Sequence, residues 1–111
     1  MDNKKDDKYY LDKILEDLEF VITHCANKTK EELVKDEVLI DSILFRIIQI
    51  SENNGKLSDD FKDAHRHIPW ASIKGMRNQI VHNYGNVDLS IVYDTATRGM
   101  VQMHKLLKAI K

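Results

Sequence analysis

Apolar residues recur along this chain at intervals of three and four rather than two, which is the spacing of helices with one buried face. Leu11, Ile14, Leu15, Leu18, Val21, Ile22 and Cys25 fall on one such face, predicting a first helix from about Lys8 to Asn27. Thr29-Lys30-Glu31-Glu32 has the form of a capping box, in which a hydroxyl and a carboxylate satisfy the free backbone donors of a helix start. The helix it opens is expected to run to about Asn53 and to stop at Asn54-Gly55. Ser58-Asp59-Asp60 predicts a short helix to about His65, and Pro69 suits the first turn of a third main helix reaching about Asn83. Gly85-Asn86 breaks that helix. Asp88 then caps a last one to about Ile110, with Lys105, Lys108 and Lys111 at its negative dipole end. The pattern predicts an all-α chain forming one domain over residues 1–111, an antiparallel four-helix bundle with one short extra helix.

The second helix is apolar over more than one face, with Val34, Val38, Leu39, Ile40, Ile43, Leu44, Phe45, Ile47, Ile48 and Ile50. A helix apolar nearly all round is either central in its own bundle or shared with another chain. For so short a chain the expectation is a homodimer.

Composition narrows the class. A chain of 111 residues, 42% hydrophobic and 32% charged, is long enough to bury a core without metal or disulfide staples. The lone Cys25 excludes an internal disulfide and points to a reducing, cytoplasmic setting, where buried packing is its expected role. The charged start and the lack of any apolar run near ~20 residues argue against a secretion signal or a membrane span. The formal net charge of −1 conceals a division: residues 1–60 carry 9 Lys and Arg against 15 Asp and Glu, residues 61–111 carry 8 against 3. His65, His67 and His82 lie early in the basic part. Such separation marks an interaction surface.

Candidate chemistry concentrates between Trp70 and Tyr84. Lys74, Arg77, Asn78, His82, Asn83 and Tyr84 interrupt the helical pattern with basic, amide and aromatic groups. Asn78 and His82 are four apart and share a helix face, so the amide is placed to orient the imidazole. Arg77 and His82 are about 140° apart on a regular helix. Two arrangements would bring them together: a distorted helix end near Gly85, or a second copy of the helix across a twofold axis. An imidazole exchanges a proton near neutral pH, and a guanidinium grips phosphate oxygens as charge develops on them. RNA carries its own nucleophile, the 2′-hydroxyl, so this pair suffices in principle without a metal or other cofactor, leaves a cyclic phosphate and spares DNA. No carboxylate or Cys cluster stands at ligand spacing beside His65 and His67, which argues against a metal site there. The same charge division predicts RNA binding that weakens steeply with salt.

Ile68-Pro69-Trp70, Gly75-Met76-Arg77-Asn78, Val81-His82-Asn83-Tyr84 and Val87-Asp88, taken together, resemble the HepT-like family, a branch of the helical HEPN superfamily. Its motif, Arg, four residues, His, one residue, Tyr, is complete in Arg77 to Tyr84, and the resemblance covers nearly the whole chain. The resemblance implies a toxin of a type VII toxin–antitoxin pair: a dimeric, metal-independent endoribonuclease neutralised when a minimal nucleotidyltransferase antitoxin transfers AMP from ATP to the motif Tyr. By position, Arg77 and His82 would be catalytic, Asn78 supporting, and Tyr84 the AMP acceptor, with Lys74 and Asn83 expected to contact RNA. A bulky anion two residues from His82 would repel RNA phosphate and fill the cleft. The alternative is a non-catalytic dimeric subunit that binds and regulates a nucleotidyltransferase.

Overall fold

The computed structural model describes residues 5–81 and 87–110, which form helices and no strands. Helix α1 spans Asp7–Cys25, opened by the Asp6 carboxylate accepting the Tyr9 amide and closed through Asn27, whose φ of 65° is the left-handed conformation that Asn tolerates. The Thr29 capping box is present in full: the Glu32 amide donates to the Thr29 hydroxyl at 3.1 Å, and the Thr29 amide to the Glu32 carboxylate at 2.8 Å.

The helix it opens departs from expectation. Helix α2 covers only Lys30–Val34, and α3, Glu37–Lys56, begins after a break at Lys35-Asp36. The Asp36 carboxylate accepts the Leu39 amide at 3.0 Å, an N-cap that competes with helix continuation. At its other end α3 runs through Asn54-Gly55 instead of stopping there. Asn54 is buried and its amide donates to the Trp70 carbonyl at 3.3 Å, while no described glycine has positive φ; the buried Leu57 follows immediately. A tertiary partner holds Asn54 in the helix that its propensity would end.

Ser58 caps the short α4, Asp59–Ala64, and is itself tied to α1 by two 2.7 Å bonds donated to the Asp7 carboxylate. Helix α5 spans Trp70–Val81. The Asp88 carboxylate caps α6, Leu89–Asp94, by accepting the Ser90 and Ile91 amides. The last helix is not regular: a π-helical turn, Thr95–Gly99, separates α6 from α7, Met100–Lys108. The wider turn absorbs the drift of a four-residue apolar repeat, so that Val92, Ala96 and Met100 are all buried.

Helix α3 packs against both α1 and α5, and α1 also carries α7 and the π turn. Leu18, Val21, Ile43, Ile47, Ile50, Ile73 and Met100 are among the fully buried side chains between them. The wide apolar arc of α3 is only partly consumed in this core. Val38 remains 78% and Phe45 57% exposed. Beside Phe45, Arg46 crosses to Asp17 at 2.7 Å and lays its guanidinium 3.9 Å from the Phe20 ring centre. Among the described residues no helix is long and apolar enough to cross a membrane.

Truncating Ile47 to Ala removes a fully buried side chain from the middle of α3. We expect a loss of about 2–5 kcal/mol, read as a lower urea midpoint with the slope unchanged. Two carboxylates set opposite acid responses. Desolvation raises the Asp17 carboxyl above its ordinary value against the pull of Arg46, so its contribution to stability is full below the unfolded pKa and declines as pH rises through the folded one. Bonds from the Thr29 amide and hydroxyl regions lower Glu32, whose contribution holds above its unfolded pKa and is lost as pH falls through the folded one. A carboxyl NMR titration should place Asp17 above the ordinary aspartate value and Glu32 below the ordinary glutamate value; a shift of either in the other direction would contradict its assignment.

Candidate functional site

The motif helix α5 is set in place by its first residue. The Trp70 indole N–H donates to the carbonyls of Lys62 at 3.2 Å and His65 at 3.1 Å, and its ring lies 6.0 Å from that of Phe61. The Trp70 carbonyl receives the Asn54 amide, while the Pro69 carbonyl accepts the Ser72 and Ile73 amides and so starts the helix. Proline, indole and asparagine together fix where α5 begins and the direction in which it leaves.

From there the polar and apolar residues divide the helix. Ile73 and Ile80 are buried against the core. Lys74, Arg77 and Asn78 are exposed, Arg77 about 40° round the helix from Ile73 and Lys74 and Asn78 about 100° and 140° from it. The Arg77 guanidinium donates to the Asn78 amide oxygen at 3.4 Å, at the long end of hydrogen-bond distance. Two of the residues expected in the site are thus neighbours, and Lys74 stands one turn before them. Arg77 makes no ion pair among the described residues, leaving its fork of donors open to a ligand. His82, Asn83 and Tyr84 lie outside the described residues, as does the expected break at Gly85-Asn86.

A family model described as "Ribonuclease HepT-like" matches residues 14–110. The chain belongs to the HepT-like ribonuclease family. Among curated relatives, it is 32% identical over 101 residues to "Putative RNase TTE0752" of Caldanaerobacter subterraneus subsp. tengcongensis, a match covering 91% of this chain and 90% of the relative. It is 28% identical over 107 residues to "Putative RNase MJ1216" of Methanocaldococcus jannaschii, covering 96% and 88%. With "Probable ribonuclease HepT" of Thermococcus cleftensis it shares 27% over 92 residues, covering 83% and 84%. No solved structure matches.

The fold also shows a feature of this HepT-like chain that sequence reasoning missed. A groove of about 450 Å³ runs between α5 and the last helix, with Ser72, Gly75 and Met76 on one wall and Gly99, Met103 and Leu106 on the other. The π turn supplies Gly99, and small residues keep both walls open. A Cβ added at Gly75 or Gly99 would meet nothing within 4 Å. The available signal was the pair of glycines inside helical stretches, which propensity alone disfavours. Gly75→Ala should therefore raise stability by about 0.5–1 kcal/mol through helix propensity, measured by thermal or urea unfolding. A loss would mean that another surface approaches the α5 backbone at Gly75.

Proposed function

We propose that this HepT-like chain is the toxin of a type VII toxin–antitoxin pair, a homodimeric, metal-independent endoribonuclease acting in the cytoplasm. The observation that carries the reading is Arg77: in a chain matched to HepT-like ribonucleases over residues 14–110, the motif arginine is exposed on α5 with the Asn78 amide oxygen at 3.4 Å. The dimer is of two HEPN-like antiparallel four-helix bundles. The exposure of Val38 and Phe45 supports a further surface being buried in the assembly.

In the proposed reaction His82 takes the proton of an RNA 2′-hydroxyl, whose oxygen attacks the adjacent phosphorus. The P–O5′ bond breaks and the leaving oxygen takes up the proton held by His82, giving a 2′,3′-cyclic phosphate and a 5′-hydroxyl. Arg77 donates to the phosphorane oxygens as negative charge accumulates on them. Asn78 holds the cationic and imidazole groups in position, and Lys74 and Asn83 hold the RNA. The partner is a minimal nucleotidyltransferase antitoxin: the Tyr84 phenol oxygen bonds to the α-phosphorus of ATP, pyrophosphate leaves, and the AMP anion repels RNA from the cleft.

Purified protein should cleave RNA with a chelator present, and Arg77→Ala and His82→Ala should each reduce the rate by about 100-fold or more. Equal rates in parent and variants would reject the catalytic assignment. Absence of any cleavage would favour the regulatory-subunit alternative. Incubation with ATP and the antitoxin should add AMP mass to the chain; a gain retained in Tyr84→Phe would move the acceptor elsewhere.

A further inference from the structure

Some cations of the described structure are held in ion pairs and others are not. Four cations of α1, α3 and α7 sit in ion pairs, Lys8–Asp12, Lys13–Glu16, Arg46–Asp17 and Lys108–Glu19, and Glu19 also meets the His104 ring at 2.9 Å. Arg66, Lys74 and Arg77 are exposed and form no ion pair among the described residues. Trp70, Lys74 and Arg77 stand at i, i+4 and i+7, a strip within about 60° on α5 and about 10 Å long. The α4–α5 loop docks at the start of that strip, because the Trp70 indole holds the Lys62 and His65 carbonyls. Arg66 and His67 follow directly in the loop and are exposed. The rings of Phe61 and His65 are 4.8 Å apart and those of His65 and His67 6.2 Å apart at 70°, an aromatic series that ends on a solvent-facing imidazole.

We propose that Arg66, His67 and Lys74 form a binding track for single-stranded RNA that leads along α5 to Arg77. Arg66 and Lys74 hold successive backbone phosphates, and His67 offers a ring on which an unpaired base stacks. The track selects a single strand, since a duplex keeps its bases from stacking on the imidazole. The carboxylates nearest in sequence, Asp59, Asp60 and Asp63, lie on α4; those of Asp59 and Asp60 occupy its first turn, where they complement the helix dipole at the end away from the loop. This inference rests on the ribonuclease reading for its ligand class, but it concerns capture of the strand and not its cleavage.

The test uses the whole chain and a short, fluorescently labelled 2′-O-methyl oligoribonucleotide, whose blocked hydroxyl prevents cleavage, with affinity measured by anisotropy across a salt series. Arg66→Ala and Lys74→Ala should each weaken binding several-fold and flatten the salt slope by about 0.7, the value for one phosphate contact on a single strand. His67→Ala should weaken binding with little change in slope, and His67→Phe should restore it by keeping a stacking face. Lys30→Ala removes an exposed cation from α2, in the acidic half, and should change neither quantity. Parental affinity and slope in the Arg66 and Lys74 variants, equal affinity for the duplexed oligonucleotide, or no binding by the parent would each overturn the track. A parent that binds with these dependences yet never cuts unmodified RNA would support the track and reject the ribonuclease reading, so the two failures are distinct.

Discussion

The placement of Trp70 is the constraint on which the functional face depends. Three elements end or begin at this residue. The end of α3 reaches its carbonyl through Asn54, the end of α4 and the following loop reach its indole N–H through two carbonyls, and α5 starts from its backbone. The Lys62 and His65 carbonyls also accept the His65 and Ile68 amides, so the indole adds a second donor to each and ties the end of α4 to the start of the motif helix. Rotating α5 about its axis would expose Ile73 and Ile80 or bury Lys74 and Arg77, both costly, which makes the anchor and the amphipathic pattern mutually reinforcing.

On α1, Lys8, Lys13 and Asp17 are held in ion pairs, and desolvation at Asp17 outweighs the help of Arg46. On α5 and the loop before it, cations stand apart from carboxylates. An unpaired surface cation retains its field for an incoming anion, whereas a paired one has largely spent it. A nearly neutral chain can therefore present a local anion-binding strip.

Much of this was legible in the residues. Thr29, Ser58 and Asp88 all cap helices, because a short polar side chain beside free amides leaves few other good conformations. The break at Lys35-Asp36 was present as a potential cap but masked by the continuous apolar run on either side of it. Helix α3 passing Asn54-Gly55 was not legible, since the residue that keeps Asn54 helical lies sixteen positions away at Trp70. The π turn was hidden for a similar reason: its register is chosen by the core that Val92, Ala96 and Met100 must share.

Sequence by itself determined the helical class, most helix starts and the set of polar residues offered by the motif helix, because these depend on neighbours within about one turn. The tertiary structure alone decided where α3 ends, how the last helix changes phase, which groove opens beside Gly75, and that the α4–α5 loop is held at Trp70. Those outcomes depend on groups distant along the chain competing for the same buried space and the same backbone hydrogen bonds, and local spacing carries no record of that competition.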